Sequence, residues 1–298
     1  MTATATTLVP PLLQLELTGM CNLSCRHCYA SSSPQGTHGS MTADNWESVI
    51  CQAAEIGVKT VQLIGGEPTL YPGLPRLIRH ADGHGLKVTV FSNLVRVTPE
   101  LWKLFELPAV SLATSWYTAD PDTHAAITGS RPAYTTTRAS IAKAARLGIP
   151  LRVEIIAVQP GQDTAAAEAE VRALGVTHVT VRPVQELGRA ATAGNPSDPA
   201  ELCGRCGTTI AAVLPDGQVT PCGIGRWLES GNVRDTPLAD IFAAQPWQQA
   251  LAAIPRQVRD CGPDCPPSGD GSDCPPASEI PCAPESNAAR SLPLVTVG

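Results

Sequence analysis

Short strand-like runs and helix-like runs alternate along most of the first 184 residues, and no other feature limits the fold as much. Strand candidates lie at 12–18, 60–64, 87–93, 109–115, 151–158 and 178–184, with helix candidates at 41–57, 74–85, 99–105, 137–148 and 164–175 between them. The first helix candidate places Trp46, Val49, Ile50, Ala53 and Ala54 at helical spacing behind a Thr42 cap. Gly57, Gly85, Gly148 and Gly175 follow their helices, where a left-handed C-cap favours glycine. Six βα units with strands of buried type predict a parallel sheet covered by helices. The count falls short of a closed eight-stranded barrel. The predicted fold is therefore α/β, a partial (βα)6 TIM-like barrel over residues 13–188, with its chemistry at the C-terminal strand ends.

Beyond residue 188 the character changes. Residues 190–202 read as a linker, and 209–222 as a hairpin turning at Pro215-Asp216-Gly217. An amphipathic helix is expected over 238–254, interrupted near Pro246. The remainder is rich in Pro, Gly and Ser and cannot build a core alone, so residues 189–298 are expected to form a small Cys-rich α+β extension with a Pro-rich tail. The chain has 11 Cys and 28 Pro, and much of the proline excess falls in this tail.

Net charge is −6 and Lys/Arg nowhere cluster, which argues against a grip on nucleic acid. No run of about 20 apolar residues occurs to cross a membrane. The N-terminal segment lacks a basic region and a long apolar stretch, so a cytoplasmic location is expected. Cysteines in that setting bind metal or react rather than cross-link, and their odd number argues against complete pairing.

Cys21, Cys25 and Cys28 fall within eight residues just after the first strand. Three thiolates on one metal centre leave a coordination position open, whereas a zinc knuckle would need His27 as fourth ligand. At later strand ends stand Gly65-Gly66, which let backbone approach a ligand closely, and Glu67, a carboxylate suited to an ammonium group. Ser92, Asn93 and Ser115 are polar residues at strand ends, and Arg152 suits either a ligand carboxylate or a structural ion pair. Cys51 lies on the amphipathic helix and reads as a small buried hydrophobe. The other seven cysteines are Cys203, Cys206, Cys222, Cys261, Cys265, Cys274 and Cys282.

Cys-Asn-Leu-Ser-Cys-Arg-His-Cys at 21–28 resembles the CxxxCxΦC cluster loop of radical S-adenosylmethionine (SAM) enzymes, with His27 at the usually aromatic position. Gly65-Gly66-Glu67-Pro68 resembles the family's GGEP motif, and Phe91-Ser92-Asn93 its polar strand-end motif. The resemblance implies a 4Fe–4S cluster on Cys21, Cys25 and Cys28, and SAM held by Gly65, Gly66, Glu67, Ser92 and Asn93. His27, Ser115 and Arg152 complete the expected cofactor contacts. Its implied chemistry is reductive cleavage of SAM to a 5′-deoxyadenosyl radical, which abstracts a substrate hydrogen.

Cys206, ten residues, Gly217, four residues and Cys222 resemble the opening of the SPASM and twitch extensions. Later spacings depart from the full pattern. One or two auxiliary 4Fe–4S clusters are expected, drawing on Cys203, Cys206, Cys222, Cys261, Cys265, Cys274 and Cys282, with a structural zinc site as the alternative.

Three functions fit. A peptide maturase that cross-links or oxidises a ribosomally made peptide is favoured. A radical epimerase or dehydrogenase of a small molecule such as an aminoglycoside sugar, with a cysteine as hydrogen donor, comes second. An iron–sulfur electron carrier is disfavoured by the GGEP strand end. Flavodoxin or ferredoxin is the expected electron donor. Little chain precedes the first strand, so a separate protein or the barrel itself is expected to bind a leader peptide. Trp227 and Trp247 are read as core or cluster packing, or as walls of a substrate cavity.

Overall fold

A computed structural model describes residues 8–191 and 197–255. All six predicted βα strands form: β1 (Leu12–Glu16), β2 (Thr60–Ile64), β3 (Lys87–Phe91), β4 (Val110–Trp116), β5 (Leu151–Ala157) and β6 (His178–Pro183). They lie parallel in sequence order. The predicted hairpin forms as β7 (Ile210–Val213) and β8 (Val219–Thr220), and β7 pairs parallel with β1, placing Leu13 opposite Ala211. The extension thus continues the barrel's own sheet to eight strands, a continuity that the linker-like composition of 190–202 conceals.

Strand alternation separates two faces. Leu13, Leu15, Val61, Leu63, Val88, Val90, Leu112, Val153 and Ile155 are buried in one core with the helices. Several alternate positions are polar and bond to one another: Gln14 donates to Gln62 at 2.7 Å, and Thr89 meets Ser111 at 3.0 Å.

The helices cover the apolar face. In α1 (Ala43–Glu55) Trp46, Val49, Ile50 and Ala53 are buried, and Thr42 and Asn45 close a reciprocal capping box. Then follow α2 (Leu74–Gly83), α3 (Pro99–Phe105), α4 (Pro121–Thr128), α5 (Arg131–Arg146) and α6 (Thr164–Ala173). The sequence reading misses α4 and starts α5 late, at Thr137. Local signals for α4 exist in the Asp120 cap, Pro121 and the left-handed Gly129, but its Ala- and Thr-rich faces lack an apolar stripe. The 238–254 helix breaks as expected, into α7 (Leu238–Ala243) and α8 (Gln245–Ala252). Ala244 is extended, and Pro246 occupies the first turn of α8, where its missing N–H costs nothing. Among the described residues no helix is long and apolar enough to cross a membrane.

Candidate active site

The loops that leave β1, β2, β3, β4 and β6 converge at one end of the sheet. After β1 the chain turns into the cysteine loop, stitched to β2's exit by Gly66 N–H to the Thr18 carbonyl (2.6 Å) and Glu67 N–H to the Met20 carbonyl (2.8 Å). A Cβ on Gly66 would stand 2.4 Å from the Met20 oxygen, so only glycine allows this approach.

Glu67 is fully buried, and both its oxygens accept from the protein. Oε1 takes Thr69 N–H (3.0 Å), Thr69 Oγ1 (2.7 Å) and Ser92 Oγ (2.7 Å), while Oε2 takes Asn93 N–H (2.7 Å). Burial pushes the carboxyl upward, and these four bonds oppose the rise. Asn93 then turns its amide to Asn22 Oδ1 (2.8 Å) and to Cys21 Sγ (3.8 Å). Gly65, Gly66, Glu67, Ser92 and Asn93 are therefore assembled against Cys21.

Cys25 is reached from another strand. Tyr117, following β4, sets its hydroxyl beside Cys25 and Ser115, and burial holds this phenol well above its ordinary range. His27 meets Tyr117 edge-on at 5.0 Å between ring centroids. Burial depresses His27 to about 4, so its ring is neutral, and its Nδ1 has no hydrogen-bond partner. Arg152 sits apart, paired with Glu154 at 3.2 Å, which is the ion-pair alternative of the sequence.

Cys203, Cys206 and Cys222 form a second sulfur group. Cys206 Sγ lies 2.8 Å from Cys222 Sγ, Cys203 bonds to Cys206, and Gly225 N–H reaches Cys222 Sγ at 3.3 Å. The adjoining thiols of Cys203 and Cys222, and then burial, push Cys206 far up. Cys261, Cys265, Cys274 and Cys282 lie outside the described residues.

Tyr29 stands between the two groups. Its hydroxyl lies beside Gly223, and its titration is raised by burial, then Glu16, with Cys28 and Cys222 contributing from either side. A cavity of about 310 Å³ opens there, lined by Tyr29, Leu187, Gly188, Ile224, Arg226 and Trp227. Trp247, by contrast, is buried against Phe242 in the core. Tyr117, Gly188, Arg189 and Arg226 escaped the sequence reading. Tyr117 directly follows β4, and Gly188 and Arg189 lie in the loop that leaves β6, so position beyond a strand end could have found them.

The radical SAM superfamily model matches residues 15–173, and the iron–sulfur cluster-binding SPASM model matches residues 203–266. This chain belongs to the radical SAM superfamily. It is 31% identical over 150 residues to an AdoMet-dependent heme synthase of Methanosarcina barkeri, covering 50% of this chain and 43% of that protein. To a PqqA peptide cyclase of Xanthomonas oryzae pv. oryzae it is 28% identical over 284 residues, covering 80% and 75%. The crystal structure of Streptococcus suis SuiB bound to precursor peptide SuiA shares the fold at 16% identity, with a TM-score of 0.71, covering 83% and 67%.

The chain is thus an enzyme of SAM and 4Fe–4S chemistry. Its residues fit that chemistry: Cys21 Sγ already accepts N–H from Leu23 (3.4 Å) and from Asn93. Burial pushes Cys21 to about 12 and Cys25 to about 11, so these thiols ionise only with a cation to bind.

Proposed function

We propose that this radical SAM enzyme oxidises or cross-links a residue of a ribosomally made peptide, with residues 13–188 as the SAM-cleaving barrel and 189–298 as the auxiliary iron–sulfur extension. The observation that carries the proposal is the cavity at Tyr29, walled on one side by the first cysteine loop and on the other by the turn after Cys222. A substrate side chain seated there lies between two sulfur-rich sites. The peptide-directed names of the PqqA cyclase and the SuiB–SuiA complex support a peptide over a sugar.

On this proposal Cys21, Cys25 and Cys28 hold the SAM-binding cluster. Gly65 and Gly66 admit the cofactor, Glu67 fixes Ser92 and Asn93 beside it, and Ser115 and Tyr117 order Cys25. Cys203, Cys206 and Cys222, with one of Cys261, Cys265, Cys274 or Cys282, hold an auxiliary centre. When bound, cluster and SAM supply the 5′-deoxyadenosyl radical that takes a substrate hydrogen. Leu187, Ile224 and Trp227 give the cavity apolar walls that limit water, and Arg226, which pairs with Glu16, lines it as well. A flavodoxin or ferredoxin in the cytoplasm delivers the electron, and the leader is bound by the barrel itself or by a separate protein.

The test is anaerobic incubation of reconstituted enzyme with reductant, SAM and peptides from neighbouring short reading frames, in deuterated water. Loss of hydrogen mass from one peptide, with matching 5′-deoxyadenosine, is the expected result. Gain of a single deuterium with unchanged connectivity would replace it with epimerisation.

A further inference from the structure

At the opposite end of the barrel, Cys51, His80 and His84 close on one another in the outer helix layer. Cys51 lies near the end of α1, His80 in the last turn of α2, and His84 caps that helix. Both helices run back from the strand ends that carry the cysteine loop, so this group sits by the starts of β2 and β3. Cys51 is half-buried rather than enclosed in the core, because its sulfur faces two imidazoles. Cys51 Sγ is 3.3 Å from His80 Nε2 and 3.5 Å from His84 Nε2, and the three atoms lie within 4.8 Å of one another.

The geometry points to a zinc-class divalent metal site held by Cys51 Sγ, His80 Nε2 and His84 Nε2. Proton accounting comes first. His84 Nδ1 lies 2.9 Å from the His80 carbonyl, which can only accept, so in the neutral ring this nitrogen carries the proton and Nε2 is bare. His80 Nδ1 faces Glu47 Oε1 at 3.7 Å, which favours the same tautomer. Two bare nitrogens then face one sulfur, whose single S–H can satisfy only one of them. A cation satisfies all three.

The distances agree. Tetrahedral zinc, with bonds of about 2.3 Å to sulfur and 2.0–2.1 Å to nitrogen, places S and N about 3.6 Å apart. The two histidines stand four residues apart on one helical face, as in helix-borne zinc ligands. His84 is oriented through its other nitrogen by a backbone carbonyl, the outer-shell pattern of metal-bound imidazole, and a carboxylate stands near the other nitrogen of His80. Arg76 fixes Glu47 through two bonds of 2.6 Å. One thiolate with two imidazoles suits zinc, not calcium or magnesium. Three protein ligands leave the fourth position to water, which exposed His84 leaves accessible. Bound metal would clamp α1 to α2, far from the SAM chemistry.

The test uses the iron-reconstituted holoenzyme, loaded anaerobically with zinc chloride and desalted, with iron and zinc counted by mass spectrometry. Wild type is expected to retain about one zinc per chain more than Cys51→Ala or His84→Ala, at equal iron. Zinc held adventitiously by other cysteines would be common to all three proteins and cancel. Equal zinc in wild type and His84→Ala, which removes only an exposed ring, would overturn the assignment. Zinc should also raise the wild-type Tm and leave that of His84→Ala unmoved; equal shifts would overturn it too.

Discussion

Arg189 reaches from the turn after β6 to the first cysteine loop, its Nε donating to the Cys25 carbonyl at 2.8 Å and its Nη2 to the Ser32 carbonyl at 2.8 Å. Its backbone N–H also meets the Cys28 carbonyl, at 3.0 Å. One residue thus bonds to both ends of the segment that carries Cys25 and Cys28. Because the side chain is largely exposed, Arg189→Ala should cost only about 1 kcal/mol in global stability. The larger effect should be local: iron at the first site should pass to a chelator several-fold faster than in wild type. Arg189→Lys keeps the charge but replaces the planar fork, whose Nε and Nη2 reach separate carbonyls, with donors on one nitrogen, so it should fall between the two. Equal chelation rates in wild type and Arg189→Ala would remove the loop-fixing role.

Gly188 makes the same junction from the backbone. Its φ is +57°, and an added Cβ would stand 2.3 Å from the Tyr29 carbonyl oxygen and 2.5 Å from that of Cys28. Both are main-chain atoms that cannot step aside, so Gly188→Ala should displace the loop and lower iron bound at the first site. Gly83 is the control: it ends α2 with a negative φ and nothing near the added carbon. Gly83→Ala should stabilise by a few tenths of a kcal/mol and leave iron unchanged. Parallel iron assays and denaturant titrations decide between these outcomes.

The contrast between Glu67 and Arg189 shows where sequence reading works. Glu67 sits inside a contiguous motif at a strand end, so residue type and position together announced its neighbourhood. What they did not announce was that its oxygens are taken up by Thr69, Ser92 and Asn93. Arg189 is one polar residue among many in a turn, and its partners are main-chain carbonyls 157 and 164 residues away, which carry no signature. Cys51 failed for a related reason. Helical periodicity assigned it to a packed face, while His80 and His84 belong to another helix and are brought to it only by the α1–α2 contact. Strands, helix caps and the hairpin were legible because each is written locally. The pairing of β7 with β1 is a long-range event, and only its apolar run was visible.

His124 gives the fold a pH dependence with a definite sign. It is buried among Trp116, Tyr117 and Tyr134, and its Nδ1 has no partner, so burial depresses it to about 4. The unfolded chain binds this proton near 6.5, so the folded state is penalised between these values. Its contribution to stability is complete above pH 6.5 and is lost as pH falls towards 4, with a limiting slope of about 1.4 kcal/mol per pH unit. His124→Phe keeps the aromatic contacts and removes the proton. The difference in urea midpoint between His124→Phe and wild type should widen from pH 7 to pH 5; a constant difference would show that the ring titrates normally.

Glu16 and Arg226 tie the two halves of the chain together. Glu16 ends β1 on the polar side of the sheet and is 2% exposed, and its carboxylate pairs with the Arg226 guanidinium from the turn after β8. Burial raises the Glu16 pKa, and the arginine's charge and hydrogen bond oppose that rise. Removing the arginine alone strands a buried carboxylate, so Arg226→Ala should destabilise by about 3–5 kcal/mol and loosen β7–β8 from the barrel. Replacing both partners removes the unpaired charge, and the Glu16→Gln, Arg226→Met double variant should recover most of that loss. Arg226 also lines the cavity at Tyr29, so the double variant separates its two tasks. Restored stability with SAM cleavage intact and peptide turnover still lost assigns Arg226 to substrate. Restored turnover assigns it to docking alone. A double variant no more stable than Arg226→Ala would show that the pair is not what joins the extension to β1.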